Sequence, residues 1–443
     1  MRNFLRNASA ELGIIDPDLA FSVPDDVVTV LNSHIAGESL ETEPGDWAMI
    51  AVIAVFVILA AIGTFADLLL NVFDVNVFPE KFLQIFQGFS LYQNTLKLFN
   101  TEQSSPDALP CINGIRFISM TWVLLGHTYS MMMGGLLVSN SAIIVGDMWL
   151  KNKAFAAVAN AIPSVDTFFL IGSALLTYGT LKQLERTGAG LKFWLLYFVH
   201  RYIRLTGVYA VIVMFHTTLL RYFATGPTSY NISITVQNCR DSWWWNLLYV
   251  GNLPFIPGEL GCLGQTWYMA NDMQFFLLTP PILALLWKRP KLGVIVCSVL
   301  TAVATAVPLA IAWAKDYPFS PLAADIEVQE DYMSNFYIVP WCRYQPYIVG
   351  MLLGYLLHTL RTRPKLSLSW VAGVWLWLAA FATGLAVIYG TSGYQAVMGE
   401  GSSTAERAMY NGLHRLAWSL ALSWLIIACT KVTTGSWDKH QQR

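Results

Sequence analysis

Charged residues are scarce in this chain of 443 residues. Asp, Glu, Lys and Arg together make up 12% of it, whereas soluble domains carry about 25%. Hydrophobic residues make up 55%, and the mean hydropathy is +0.48. This composition excludes an ordinary soluble globular domain and predicts an all-α, polytopic integral membrane helix bundle.

Several other signals are missing. The six cysteines are few and scattered, which argues against a disulfide scaffold and against a metal site. The net charge of −1, without a long basic run, gives no reason to expect nucleic acid as a partner. Because no Gly-x-Ser-x-Gly, Walker or dinucleotide motif is present, covalent serine chemistry and nucleotide hydrolysis are unsupported. The first residues show no apolar core of a signal peptide.

What the chain does contain is a series of apolar stretches that divide it into segments. We expect a polar acidic segment at 1–46, a first membrane helix at 47–70, a linker at 71–109, a membrane domain at 110–430 and a polar tail at 431–443. Trp47 to Ala66 carries no charge over twenty residues, which is enough for one crossing. Eight more spans are predicted at 113–137, 163–181, 202–222, 267–287, 292–313, 345–360, 370–389 and 412–430.

The distribution of Lys and Arg predicts the orientation of these spans. If the N-terminus is outside, or luminal, sixteen of the Lys and Arg residues lie on the cytosolic side and eight on the outer side, and the C-terminus is cytosolic. The predicted outer segments contain two glycosylation sequons, at Asn7 and Asn231. Cys239 and Cys262 share an outer loop at 223–266, which predicts a disulfide between them, with Cys342 as a competitor. The endoplasmic reticulum and the plasma membrane both fit this topology.

One predicted membrane helix carries both Arg116 and His127. Eleven residues separate them, so they share a helix face about 16 Å apart, flanked by Asn113 and Met120. An ionisable side chain near the hydrocarbon midplane by default marks a functional site. The alternative is a neutral histidine held by an interhelical hydrogen bond. We favour a buried, neutral His127 that acts as a general base toward a hydroxyl group.

Two further sites carry charge near predicted helix ends. Arg201 and Arg204 lie at the predicted cytosolic end of the fourth span. They could anchor the helix or form a cationic entrance for a phosphate-bearing ligand, since Arg binds phosphates bidentately. Asp166 follows Pro163-Ser164 near a predicted helix start, where capping is the favoured role and facing the cavity the alternative.

A polar stretch interrupts the apolar sequence at 267–274. Trp267 and Tyr268 precede Asn271, Asp272 and Gln274, which bring amide and carboxylate groups into a predicted membrane helix. A single Asp there could pair with an Arg for structural reasons. Three such groups within four residues favour a polar, substrate-binding cavity.

These segments together resemble one protein family. The resemblance is carried by Asn113-Gly-Ile-Arg-Phe, Gly126-His-Thr-Tyr, Ser164-Val-Asp-Thr-Phe-Phe-Leu, His200-Arg-Tyr-Ile-Arg-Leu-Thr and Thr266-Trp-Tyr-Met-Ala-Asn-Asp-Met-Gln-Phe. In this order, over about 110–430, they look like the acyltransferase 3 family, in particular its animal branch of nose-resistant-to-fluoxetine-like proteins. The Arg-x10-His motif of the family falls on Arg116 and His127. Its Arg-rich motif falls on Arg201 and Arg204, and its Trp-x4-acidic motif on Trp267 and Asp272.

The resemblance also implies features that this sequence lacks. Animal members usually begin with a signal peptide and a cysteine-rich outer domain, and they continue through about two more spans. Residues 1–46 contain no cysteine and the sequence after Lys431 is polar, so we expect this chain to be truncated at both ends relative to such members. Asp272 also replaces the Glu found in many relatives.

The resemblance implies a membrane-embedded O-acyltransferase. It would move an acyl group from acyl-coenzyme A (CoA) to a hydroxyl acceptor such as a lipid, a sterol or a sugar. In this mechanism His127 is the base, Arg201, Arg204 and Arg116 hold the donor phosphates, and Asp272 with Asn271 orients the acceptor or the imidazole. The alternative is a non-enzymatic lipid or drug transporter with the same polar cavity. We find no pair of broken helices in related halves, which favours the enzyme.

Overall fold

The computed structural model describes residues 41–75, 79–101, 109–134, 149, 151–223, 229–256, 262–320, 326–364, 366–392 and 402–434. These residues form fourteen α-helices: α1 Pro44–Asn71, α2 Glu80–Phe86, α3 Leu91–Phe99, α4 Pro110–Gly134, α5 Ala156–Ala159, α6 Ile162–Thr187, α7 Leu191–Thr217, α8 Ser229–Leu247, α9 Trp267–Lys288, α10 Pro290–Lys315, α11 Ile326–Tyr332, α12 Tyr344–Leu360, α13 Trp370–Tyr389 and α14 Thr404–Lys431. Two short strands, β1 Leu366–Leu368 and β2 Val432–Thr434, complete the regular structure.

The helices confirm an all-α, polytopic membrane bundle. Among the described residues, seven helices are long and apolar enough to cross a membrane, namely α1, α6, α7, α9 with the preceding turn from Gly264, α10, α13 and α14. Each of the nine predicted spans overlaps a helix. Two of these helices, α4 and α12, are not among the seven. The 17 residues of α12 fall short of the roughly 20 that cross a hydrocarbon core.

The prediction at 202–222 placed one helix boundary wrongly. Helix α7 begins at Leu191, eleven residues before the predicted start. In the sequence, Arg201 and Arg204 indicated the end of a membrane span. In the structure, Arg201 lies ten residues inside the helix, about 15 Å from its start. The predicted position of Arg201 and Arg204 at the end of this span is therefore corrected.

Two segments that were predicted to be connections contain helices. The linker at 71–109 includes α2 and α3, and the loop at 223–266 includes the 19-residue helix α8. Helix α8 is largely polar, so a search for apolar runs does not detect it. At the N-terminal side, α1 begins at Pro44, inside the segment predicted to be polar.

The chain divides into two compact units, one of 1–108 with 211–241 and one of 109–210 with 242–443. In the first unit, α2, α3 and the turn Gln87–Phe89 pack against α1. Arg221 donates hydrogen bonds to Glu43 and Asp46, and Arg240 donates to Glu43. These ion pairs connect the start of α1 to Arg221, which follows α7, and to Arg240 in α8.

The second unit is built around the pair α6 and α12, which have the most extensive helix–helix contact. Small residues allow this approach, because a Cβ atom on Gly350 would lie 2.2 Å from the carbonyl oxygen of Leu170, and one on Gly354 would lie 2.3 Å from that of Ala174. Helices α4, α9, α10 and α14 pack around this pair, with α4 against α6, and α13 packs against α14. The core includes Phe169, Leu184, Phe275, Leu283, Ile348 and Met351.

The two strands pair with each other at one end of the last two helices, α13 and α14. Strand β1 precedes α13, and β2 follows α14 and pairs with β1 in parallel, with Leu366 opposite Val432. The start of α13 and the end of α14 therefore lie on the same side of the bundle. The predicted topology places both segments on one side as well.

Candidate functional site

The second unit contains a cavity of about 540 Å³. It is lined by the C-terminal half of α4, by α5, by the N-terminal turns of α6 and α9, and by the segment that joins α10 to α12. Polar groups on its wall are His127, Ser130, Ser164, Gln265, Ser320 and Gln329. Most other lining side chains are apolar or aromatic. Its size and its few polar groups in an apolar wall are typical of small-molecule sites.

His127 lines this cavity, but it is not buried as predicted. Its side chain is exposed, because the cavity runs along the face of α4 that carries it. Nδ1 lies 2.9 Å from the carbonyl oxygen of Val123, one turn earlier in α4. Since a carbonyl oxygen only accepts hydrogen bonds, Nδ1 carries a proton, and in a neutral ring Nε2 is then the nitrogen that presents a lone pair.

The two other predicted site residues of α4, Asn113 and Arg116, lie away from the cavity wall. Asn113 and Arg116 are exposed, and neither is among the residues that line the cavity. Of the Arg-x10-His pair, the structure therefore places only His127 at the cavity.

Trp267 and Tyr268 both line the cavity, together with Tyr337. The ring of Tyr268 stacks on Phe169 with centroids 4.5 Å apart, which fixes it against α6. The guanidinium of Arg343 lies 4.9 Å from the ring centroid of Trp267 and 4.1 Å from that of Tyr337. Two aromatic residues of the cavity wall are therefore in contact with a buried cation.

Asp166 pairs with that cation and does not cap a helix. Helix α6 begins at Ile162, so Asp166 lies in its second turn and is completely buried. Its Oδ1 accepts a hydrogen bond of 3.0 Å from Nη1 of Arg343, and its Oδ2 lies 3.8 Å from Nε of Arg415. Burial explains this contact, since a carboxylate inside a protein requires a cationic partner. The capping prediction for Asp166 was wrong.

Arg201 and Asp272, predicted to serve different substrates, form an ion pair with each other. Nη2 of Arg201 donates to Oδ2 of Asp272 at 2.5 Å, and the guanidinium lies over the ring of Phe276. The side chain of Asp272 is 14% exposed. It is not on the cavity wall, and Arg201 takes the contact that was predicted for the imidazole of His127 or for the acceptor. Arg204 is exposed, and it makes no ion pair with any described residue.

Asn271 and Gln274 connect α9 to neighbouring loops. The amide of Asn271 donates to the carbonyl of Ile338 at 2.9 Å and accepts from Asn252 at 2.8 Å. The amide of Gln274 donates to the carbonyl of Tyr249 at 2.8 Å. Both side chains therefore donate hydrogen bonds to backbone carbonyl groups of irregular segments, and neither side chain lines the cavity.

Cys239 and Cys262 are both disulfide-bonded. The other four cysteines are free, including the predicted competitor Cys342. Asn231 lies in α8, whereas Asn7 lies outside the described residues.

Arg343 and Arg415 were missed by the sequence analysis. Both are fully buried, and they are among the largest fully buried side chains. Arg415 is an ionisable residue within an apolar stretch, the same signal that identified His127. Arg343 follows a Pro-Trp-Cys turn, where no local pattern indicates burial.

The matches to known proteins cover most of this unit. The profile of the acyltransferase 3 family, described as an acyltransferase domain, matches residues 109–439. The chain belongs to the acyltransferase 3 family. This assignment makes it a member of a family of membrane acyltransferases, and it agrees with the resemblance noted in the sequence.

Two nematode proteins are similar to this family member. Nose resistant to fluoxetine protein 6 of Caenorhabditis elegans is 28% identical over 407 residues, covering 86% of this chain and 49% of the relative. Regulator of hypoxia-inducible factor 1 of Caenorhabditis elegans is 24% identical over 307 residues, covering 62% and 55%. The chain thus spans about half the length of the curated relatives it matches. No solved structure matches it.

Proposed function

We propose that this protein is an O-acyltransferase in which His127 activates a hydroxyl acceptor inside the cavity, with acyl-CoA as the donor. One observation carries the proposal: His127 faces a cavity of about 540 Å³, and Val123 fixes its tautomer so that Nε2 is the free base. A base must be able to reach the proton that it removes, and an exposed imidazole on a cavity wall meets that condition.

The proposed reaction proceeds through His127. Nε2 removes the proton of the acceptor hydroxyl as its oxygen attacks the thioester carbonyl. The carbon–sulfur bond then breaks, the proton passes from the imidazolium to the leaving thiolate, and the products are an ester and free CoA. When both substrates fill the cavity, its mainly apolar wall would keep water from the reacting atoms, which favours transfer to the acceptor over hydrolysis.

The two ends of the second unit suggest where the two substrates enter. The cavity lies at the end formed by the start of α6 and α9. The other ends of these helices and of α12 carry Lys182, Lys288 and Arg361. A basic end favours the cytosolic side and an anionic donor. We therefore propose that CoA binds from the basic end and that the acceptor enters from the opposite side.

The second candidate is a transporter of lipids or drugs. The mainly apolar wall of the cavity supports this candidate, because it would hold an apolar cargo as well as an acyl chain. In that case His127 would shape the pathway and no ester would form.

The test compares two histidines that make the same contact. In His216, as in His127, Nδ1 lies within hydrogen-bond distance of the carbonyl oxygen four residues earlier, but His216 does not line the cavity. The unaltered protein, His127→Gln and His216→Gln are incubated in nanodiscs with labelled acyl-CoA and a lipid or sugar extract. Formation of a labelled ester is measured.

We expect ester formation by the unaltered protein and by His216→Gln, and a loss of about 10²–10⁴-fold in His127→Gln. Near-native transfer by His127→Gln would overturn the general-base assignment. If none of the three forms an ester but His127→Gln changes the flux of a lipid or drug across proteoliposomes, the transporter is correct.

A further inference from the structure

Three buried charges in the second unit do not cancel. Asp166, Arg343 and Arg415 are each completely buried, and they lie on α6, on the turn before α12 and on α14. One carboxylate faces two guanidinium groups. Because arginine stays protonated inside proteins, this cluster carries one excess positive charge.

The hydrogen bonds of the cluster are incomplete as well. Nη2 of Arg343, and Nε and Nη2 of Arg415, are buried and have no hydrogen-bond partner among the described residues. Nη1 of Arg415 makes only a long contact of 3.4 Å to the carbonyl of Asn411. Oδ2 of Asp166 is also without a hydrogen bond and faces Nε of Arg415 at 3.8 Å, so Nη2 of each arginine remains as a donor with no acceptor nearby. Such donors on two cations are costly to bury, and an anion would compensate both the charge and the donors.

Among the described residues, the nearby groups do not supply this negative charge. Cys342 is buried beside Arg343 and Arg415, but burial raises the pKa of its thiol to about 12, although both cations lower it. The thiol is therefore neutral. Asp331 binds Lys315 and Tyr317, and Asp272 binds Arg201, so these carboxylates are already paired.

We propose that Arg343 and Arg415 bind one small monovalent anion of about the size of chloride. The aromatic side chains around the cluster limit its size. Trp267 and Tyr337 cover Arg343, and the ring of Phe336 lies 5.3 Å from the guanidinium of Arg415. A bulky or multivalent anion would have to displace these rings, whereas a halide or a very small carboxylate would displace them least while it accepts from the unpaired N–H groups. The argument for this site does not rest on the proposed acyl transfer.

The first experiment measures the unfolding temperature of the purified protein in detergent as sodium gluconate is replaced by sodium chloride at constant ionic strength. A ligand that binds only the folded state raises this temperature until its site is saturated. We expect a saturable rise with chloride and with bromide, and none with gluconate. An acetate series distinguishes a site for halides alone from one that also accepts small carboxylates. Equal unfolding temperatures in chloride and gluconate would overturn the proposal.

Two arginines on α14 provide a matched pair of variants. Arg415→Met leaves Asp166 and Arg343 as a balanced pair and should abolish the chloride dependence. Arg407 pairs one-to-one with Asp316 at 2.6 Å, so Arg407→Met should keep the dependence of the unaltered protein. Chloride dependence that persists in Arg415→Met would contradict the assignment to this cluster, as would its loss in Arg407→Met.

If Arg415→Met does not fold, equilibrium dialysis of the unaltered protein against radioactive chloride decides the question. Saturable binding of about one chloride per chain, displaced by bromide and not by gluconate, supports the site. Absence of saturable binding, which is expected if only water solvates the cluster, overturns it.

Discussion

The contact between α6 and α12 gives the sharpest prediction about stability. Replacing Gly350 by Ala places a methyl group 2.2 Å from the carbonyl oxygen of Leu170 and 2.0 Å from Oγ of Ser173. The Ser173 hydroxyl can rotate away, but the Leu170 carbonyl belongs to the backbone of α6. Ordinary contacts begin at 3.4 Å, so the two helices must separate by about 1 Å.

The cost of this separation follows from the packing it disrupts. Overpacking in a well-packed core costs about 1–3 kcal/mol, and a gap of about 1 Å along a helix pair also loses a large share of its dispersion contacts. We therefore expect Gly350→Ala to lower the free energy of unfolding by about 3 kcal/mol. Gly172 is the matched control on α6, because a methyl group there meets no atom within 4 Å. Gly172→Ala should be neutral, or more stable by up to about 1 kcal/mol through helix propensity.

Both variants are heated in the same detergent, and the monodisperse fraction that remains is measured by size-exclusion chromatography. The comparison gives their difference in stability. A Gly350→Ala protein as stable as the unaltered chain would refute the reasoning from close helix contact. Equal destabilisation by Gly172→Ala would show that any added methyl group on these helices is harmful.

Three more predictions concern charges and topology. Hydrogen bonding to Arg407 lowers the pKa of Asp316 below its ordinary 3.8. The contribution of this pair to the free energy of unfolding is therefore present above about pH 3.8 and is lost as the pH falls further. The unfolding temperature of Asp316→Asn should lack this acid-dependent loss. Arg201→Met should lower the free energy of unfolding by up to about 3 kcal/mol, because it leaves the largely buried carboxylate of Asp272 without a partner. The double variant Arg201→Met, Asp272→Leu should recover most of this loss, and an equal loss in both would contradict a pairing role. Asn231 should carry a glycan in a eukaryotic secretory membrane, so glycosidase treatment should shift the unaltered protein further than Asn231→Gln, which keeps only the sequon at Asn7. An equal shift in both, or no shift in either, would argue against a glycan on Asn231.

The membrane helices could be predicted because hydropathy is a local property. The uncharged stretch from Trp47 to Ala66 lies within α1, and the same criterion located α10 and α13 nearly to their ends. The hydropathy criterion failed where a helix contains polar or charged residues. Helix α7 continues through His200 and Arg201, because Asp272 on another helix compensates the charge, and a single stretch of sequence does not show that partner.

The candidate site was predictable only in part for the same reason. His127 and Trp267 were identified because a polar or amphipathic residue in an apolar stretch is visible locally, and both line the cavity. The ion cluster joins Asp166 to residues 177 and 249 positions later, and no spacing rule connects them. The burial of His127 was predicted wrongly, because an apolar sequence around a residue does not reveal a cavity beside it.

The indole of Trp267 separates the cavity from the buried cluster: it lines the cavity and is in contact with the guanidinium of Arg343. A ligand that tilts this ring changes the surroundings of Arg343, and an anion held by Arg343 changes the position that the ring prefers. Two binding events that share one side chain are thermodynamically linked, and the linkage is reciprocal. A ligand in the cavity should therefore change the affinity for the halide, and the halide should change the affinity for that ligand by the same factor.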